Sequence, residues 1–132
     1  MLASMPRVDA IWANPLFQEN LAAIEAAETQ RVYCRHGLSH LLDVARTAWI
    51  INLEGGFGLA RDVVYAAALL HDIGRAAEYS KGISHDVAGV EIARRILGTG
   101  VAESSKRCEA TVPTASMRYR ASFPLCQVVW PA

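Results

Sequence analysis

Residues 63–75 read VVYAAALLHDIGR, and the fold turns on how this segment is buried. From Val63 to Leu70 the Tyr65 hydroxyl is the sole polar side-chain group. A helix without a wet face belongs at the centre of a bundle rather than on its surface. His71 and Asp72 then end the run with two ionisable groups, which are costly to bury unless paired or bound to metal. The doublet is therefore a candidate metal centre. The competing reading is a satisfied core histidine with an aspartate capping or pairing nearby, since a dipeptide alone is a weak motif.

Outward from this segment, the central helix is expected from Gly58 to Ile73, opened by Arg61 and Asp62 and closed by Gly74. A helix before it runs from about Gly37 to Leu53 and stops at Glu54-Gly55-Gly56, where paired glycines release the chain. Its core stripe is Leu38, Leu41, Leu42, Ala45, Ala48 and Trp49, with His36, His40, Asp43 and Thr47 on an adjoining polar stripe. One or both histidines can look along that surface toward a shared site. Otherwise His36 is expected to be a solvated residue at the helix entrance.

The first helix signal is Asn14-Pro15, a good N-cap followed by a proline suited to the first helical position. It runs to about Gln30, with Leu16, Phe17, Leu21, Ile24 and Ala27 inward and Gln18, Glu19, Glu25 and Glu28 on the wet face. After the doublet, residues 75–82 read as a loop. Ser84 caps a helix from His85 to Leu97 whose apolar side is Val87, Val90, Ile92, Ile96 and Leu97, with His85 in its first turn. No segment alternates with period two. The fold class is all-α, a bundle of about five helices if residues 101–110 supply a short one. Beyond Gly98 the sustained period is lost, and Pro113, Pro124 and Pro131 oppose regular structure, leaving an irregular C-terminal tail.

At 132 residues and without repeats or low-complexity linkers, residues 1–132 are read as a single domain. A formal net charge of +0 gives no electrostatic reason to expect nucleic acid or an acidic membrane as partner. No apolar run is long enough to span a bilayer and the N-terminus lacks a signal-peptide pattern, so the expected compartment is the cytoplasm. Cys34, Cys108 and Cys126 are odd in number and scattered, as for reduced thiols.

His40, then His71-Asp72, then His85 on successive helices form a pattern that resembles the HD superfamily of all-helical, metal-dependent phosphohydrolases, of the HDIG type. The resemblance is carried by YCRHGLSHLLDVARTAWI, similar to that family's H-x-x-x-V-A helix, and by DVVYAAALLHDIGR, similar to its A-A-L-L-H-D-I-G-K helix. It covers roughly residues 30–98 and leaves 99–132 as an atypical tail. It implies metal ligation by His40, chosen because Val44 follows it at the family's spacing, and by His71 and Asp72. His85 resembles the extra histidine of the family's two-metal branch. Arg75 stands where a lysine is usual, and either cation suits a substrate phosphate. The implied cofactor is one or two divalent ions, with iron, manganese, cobalt, nickel and zinc all compatible with imidazole and carboxylate. The implied partner is a small phosphorylated substrate, nucleotide-like, split by a metal-activated water with Asp72 and Arg75 at the reacting centre.

The chain departs from the family where a distal aspartate should complete the metal site. After Asp86 there is no aspartate, after His85 no histidine, and the later acids are Glu91, Glu103 and Glu109. Two expectations follow. The tail past Gly98 is not the family's usual C-terminus, as after truncation or a frame shift, and the alternative function is a binding or regulatory module that keeps the scaffold without turnover. A purely structural domain would leave the His-Asp doublet unexplained.

Overall fold

In a computed structural model that describes residues 4–98, the chain is all-helical. Its elements are α1 (Pro6–Ala13), α2 (Pro15–Ala27), α3 (Leu38–Gly55), α4 (Arg61–Leu70), α5 (Arg75–Lys81) and α6 (His85–Leu97). The expected short helix at 101–110 and the tail after it lie outside the described residues. No described helix is long and apolar enough to cross a membrane.

Asn14 starts α2 as the sequence suggests. Its Oδ1 accepts from the Leu16 N–H at 2.9 Å while Pro15 occupies the first turn. The same side chain reaches the far end of the fold, where its Nδ2 donates to the Ile96 carbonyl at 3.5 Å. The main core joins Val8 and Ile11 of α1, Phe17 and Leu21 of α2, Leu41 of α3, Leu69 and Leu70 of α4, Ile73 of the turn that follows it, and Ile96 of α6. A smaller cluster, Ala48 and Val64 with Trp49, Ile51 and Phe57 against it, ties α3 to α4. No α4 residue is exposed, as its composition requires.

Two helices were not legible. In α1 only Val8 and Ile11 are buried, too short an apolar pattern to read. Residues 75–82, expected as a loop, carry α5, which buries no residue fully and so offers no periodic face. On α6 the expected inward Val87 is 65% exposed, and the small Ala88 and Gly89 face inward instead. They do so because α6 packs closely against the backbone around Gly74.

Asn52, 3% exposed, sets where α4 begins. Its Nδ2 donates to the Leu59 carbonyl and its Oδ1 accepts from the Leu59 N–H, both at 3.0 Å. α3 ends on left-handed Gly56, with the Phe57 N–H returning to the Asn52 carbonyl at 3.1 Å. The connection to Arg61 is thereby held at both ends, and α4 delivers the doublet to a defined place.

Candidate metal centre

α4 ends at Leu70, three residues before the expected end. His71 and Asp72 thus sit in a tight turn, with the Ile73 N–H on the Leu70 carbonyl at 3.3 Å and the Arg75 N–H on the Asp72 carbonyl at 3.0 Å. This turn points both side chains at α3. Both residues are nearly inaccessible, His71 at 8% and Asp72 at 4% exposure.

Three imidazoles converge on one carboxylate oxygen. The Nε2 atoms of His71, His40 and His36 stand 3.0, 3.4 and 4.0 Å from Asp72 Oδ2. The rings of His36 and His40 meet edge to face with centroids 5.2 Å apart, and those of His40 and His71 are 5.6 Å apart. Among the described residues, His36, His40 and Asp72 each present a ligand atom within 4.8 Å of the others'. His36 is 8% exposed and not the solvated helix-entrance residue expected from the sequence. It lies just before α3, four positions ahead of His40, and is drawn inward by Glu28.

Glu28, expected on the wet face of its helix, is 2% exposed because α2 ends at Ala27 and the chain turns it inward. Its Oε2 accepts from the His36 backbone N–H and its Oε1 faces His36 Nδ1, each at 2.6 Å. Tyr79 of α5 donates its hydroxyl to Oε1 at 2.5 Å, and Arg31 Nη1 donates at 3.3 Å. Burial pushes the Glu28 carboxyl up, but the His36 backbone N–H, the Tyr79 hydroxyl and the His36 ring outweigh it and hold the pKa at about 2. The sole sequence clue was the spacing of Glu28 from His36, which no local pattern flags.

The donor chemistry fits a divalent ion. His71 Nδ1 lies 2.6 Å from the Ala68 carbonyl, which can only accept, so Nδ1 carries hydrogen. Nε2 then either donates to the Asp72 carboxylate from a protonated ring or, in a neutral ring, turns a lone pair toward it, where a shared cation would hold the two together. His36 repeats the arrangement, with Nδ1 on the Glu28 carboxylate and Nε2 toward Asp72. Burial and the neighbouring His71 push the His40 pKa down, favouring its neutral, ligating form. Burial would raise the Asp72 carboxyl, yet His71 and Arg75 hold it below the ordinary carboxylate range. Nδ1 atoms tied to a carbonyl or carboxylate, with Nε2 atoms aimed at one point, are the usual setting of metal-bound histidines.

Arg75 and His85 sit farther along. Arg75 Nε donates to Asp72 Oδ1 at 2.8 Å, and its Nη1 is 3.7 Å from Glu78 Oε2. His85 Nδ1 is 3.2 Å from that same Glu78 oxygen, with its side chain about one-third exposed at 32%. A chain of charge thus runs from Asp72 through Arg75 and Glu78 to His85. The structure brings His40, His71, Asp72 and, beyond the family pattern, His36 together. His85 is turned instead to Glu78.

An all-helical scaffold with a His-Asp doublet at its buried turn, faced by histidines from the preceding segment, defines a candidate metal centre of a known type. The HD domain family model matches residues 37–110, more than half of the chain, and the chain belongs to that family. A Clostridium beijerinckii protein named only as uncharacterized is 44% identical over 70 residues, 53% of this chain and 45% of that protein. Ribonuclease Y of Mycoplasma mycoides is 40% identical over 63 residues, 48% of this chain and 14% of the relative. Ribonuclease Y of a Sulfurovum species is 33% identical over 81 residues, 61% of this chain and 16% of the relative. The chain spans less than half the length of each of these relatives. No solved structure matches it.

Proposed function

We propose that the chain is a metal-dependent phosphohydrolase acting on a nucleotide-like phosphoester or phosphoanhydride. The observation that carries this reading is the aim of three imidazole Nε2 atoms at Asp72 Oδ2 in a chain of the HD family. A divalent ion held by His40, His71 and Asp72, with His36 beside them, would supply Lewis acidity and a water acidified toward neutral pH. His40 and His71 present neutral nitrogen and Asp72 the anionic charge. Arg75 keeps Asp72 oriented through Nε, and the remaining N–H groups of its planar fork suit phosphoryl oxygens. The name ribonuclease on several relatives supports a phosphodiester between nucleotides as the bond at risk. With net charge +0 there is no broad positive field, which favours a short substrate over a long polyanion.

A second reading, a binding or regulatory module without turnover, is favoured by Asp72 being the one carboxylate in the cluster among the described residues. Elemental analysis of protein purified without chelators or a histidine tag tests the metal. One transition-metal ion per chain supports both readings, and hydrolysis of a dinucleotide then separates them. Metal-free protein that takes up no added zinc or manganese would sink both.

A further inference from the structure

Both Glu28 and His36 lie outside the stretch matched to the family, residues 37–110, so family membership assigns neither a role. We propose that Glu28 is the positioning residue that makes His36 a ligand of the metal centre, by holding the Nδ1 proton and turning Nε2 toward Asp72. This rests on the metal-centre reading above.

The grip on His36 is two-pronged. Oε2 takes the backbone N–H and Oε1 takes Nδ1, each at 2.6 Å, so the carboxylate fixes both where the residue sits and how its ring is rotated. With Nδ1 donating, the ring's accepting nitrogen is Nε2, which stands 4.0 Å from Asp72 Oδ2. Tyr79 and Arg31 hold the carboxylate from the other side, and Arg31 Nη1 also donates to the Tyr79 hydroxyl at 2.9 Å. Glu28 therefore cannot swing away without abandoning donors on three segments.

Stability alone does not explain a buried acid here, because ion pairs and buried carboxylates are seldom better than a well-packed apolar side chain of similar volume. Charge gives the acid a role. Among the described residues grouped at the centre, Asp72 is the one carboxylate. Glu28 puts a second carboxylate one imidazole away from the ion, which raises the basicity of His36 and adds negative charge near the centre. It acts through His36 and touches neither ion nor substrate.

The test uses the whole chain, with Zn2+ as probe in a chelator-competition titration on wild type, Glu28→Ala, Glu28→Gln, His36→Ala and the Glu28→Ala/His36→Ala double variant. Glu28→Ala should weaken Zn2+ binding by about 10–100-fold, and His36→Ala by a similar factor. Glu28→Gln should fall between, because its amide oxygen can replace only one of the two acceptors. In the His36→Ala background, Glu28→Ala should cost nothing more, whereas a merely structural role would persist there. Nitrogen-15 NMR of metal-free protein should show His36 with hydrogen on Nδ1 in wild type and a shift toward Nε2 in Glu28→Ala. The proposal is overturned if Glu28→Ala keeps its affinity within about twofold, or if its loss is the same with His36 removed. Should Glu28→Ala fail to fold, unchanged affinity in Glu28→Gln overturns it. Wild type that binds no Zn2+ sinks the metal reading as well, whereas wild-type binding with an indifferent Glu28→Gln sinks this inference alone.

Discussion

Nε2 of His40 stands 3.4 Å from Oδ2 of Asp72, although α3 carries one and the turn after α4 the other. Ligands about 2.1 Å from a common first-row ion are separated by roughly 3 to 3.5 Å, and the His71–Asp72 distance of 3.0 Å falls at the low end of that range. Asp72 is the hub of this geometry and its negative charge. Asp72→Asn preserves shape but removes that charge, and should weaken Zn2+ or Mn2+ binding by at least about 100-fold. Calorimetric titration beside wild type measures it. Affinity within about tenfold would show that Asp72 is not the anchoring ligand.

Gly74 and Gly89 face each other across the start of α5 and the first half of α6, and they are not equivalent. A Cβ on Gly74 would enter the backbone of His85 and Gly89, which cannot yield as a side chain can. A Cβ on Gly89 would meet Gly74 N at 3.6 Å, an ordinary contact. Gly74→Ala should therefore destabilise the fold by at least about 2 kcal/mol. Gly89→Ala should be neutral, or stabilising by up to about 1 kcal/mol through helix propensity. Urea unfolding midpoints of the two variants decide it, and equal effects would contradict the close approach at Gly74.

Much of this arrangement was legible before any coordinates, and the exceptions have physical causes. The unbroken apolar run of residues 63–70 named the central helix, and Asn14-Pro15 and His85–Leu97 fell where the sequence placed them. What failed were short elements: α1 and α5 bury too few side chains to show a period. At the site, the buried apolar run singled out the doublet, helix phase left His36 and His40 both open, and the family resemblance through Val44 chose His40. It missed Glu28 and misjudged His36, because a residue at the end of a helix is oriented by tertiary hydrogen bonds rather than by helix phase. Ala27 and Glu28 exchange their expected places for the same reason, Ala27 exposed and Glu28 buried.

The depressed Glu28 carboxyl makes an acid-stability prediction for metal-free protein. Its folded pKa of about 2 lies below its ordinary value of 4.5. A carboxyl lowered on folding contributes stability that is present above the unfolded value and lost as pH falls through the folded one. The loss attributable to Glu28 should thus run from pH about 4.5 down to about 2, with an upper bound of about 3.5 kcal/mol. Denaturant titrations across that window should give a shallower fall for Glu28→Gln than for wild type. Parallel curves would show that the His36 and Tyr79 contacts do not discriminate between the charged and neutral acid.

Turnover should be present but slow. Among the described residues grouped at the centre Asp72 is the one carboxylate, and a single anionic ligand leaves the coordination shell more open and the hold on a dication looser. His36 can occupy a ligand position, but as a neutral donor, with its compensating charge on Glu28 an imidazole farther out. Such a shell would still offer an ion several donors, yet its charge is balanced differently from one with two direct carboxylates. Metal-loaded protein assayed on a dinucleotide and on nucleoside phosphates should therefore turn over below the usual enzymatic range of about 1 to 1000 per second, with the signal abolished in Asp72→Ala. Arg75→Lys should lower the rate further, because an ammonium replaces both the Nε–Asp72 bond and the planar fork available to phosphoryl oxygens. Rates within the usual range would establish that His36 with Glu28 does the work of a second direct carboxylate. Rates indistinguishable from the Asp72→Ala control, in protein that binds metal, would assign the chain to the binding or regulatory class.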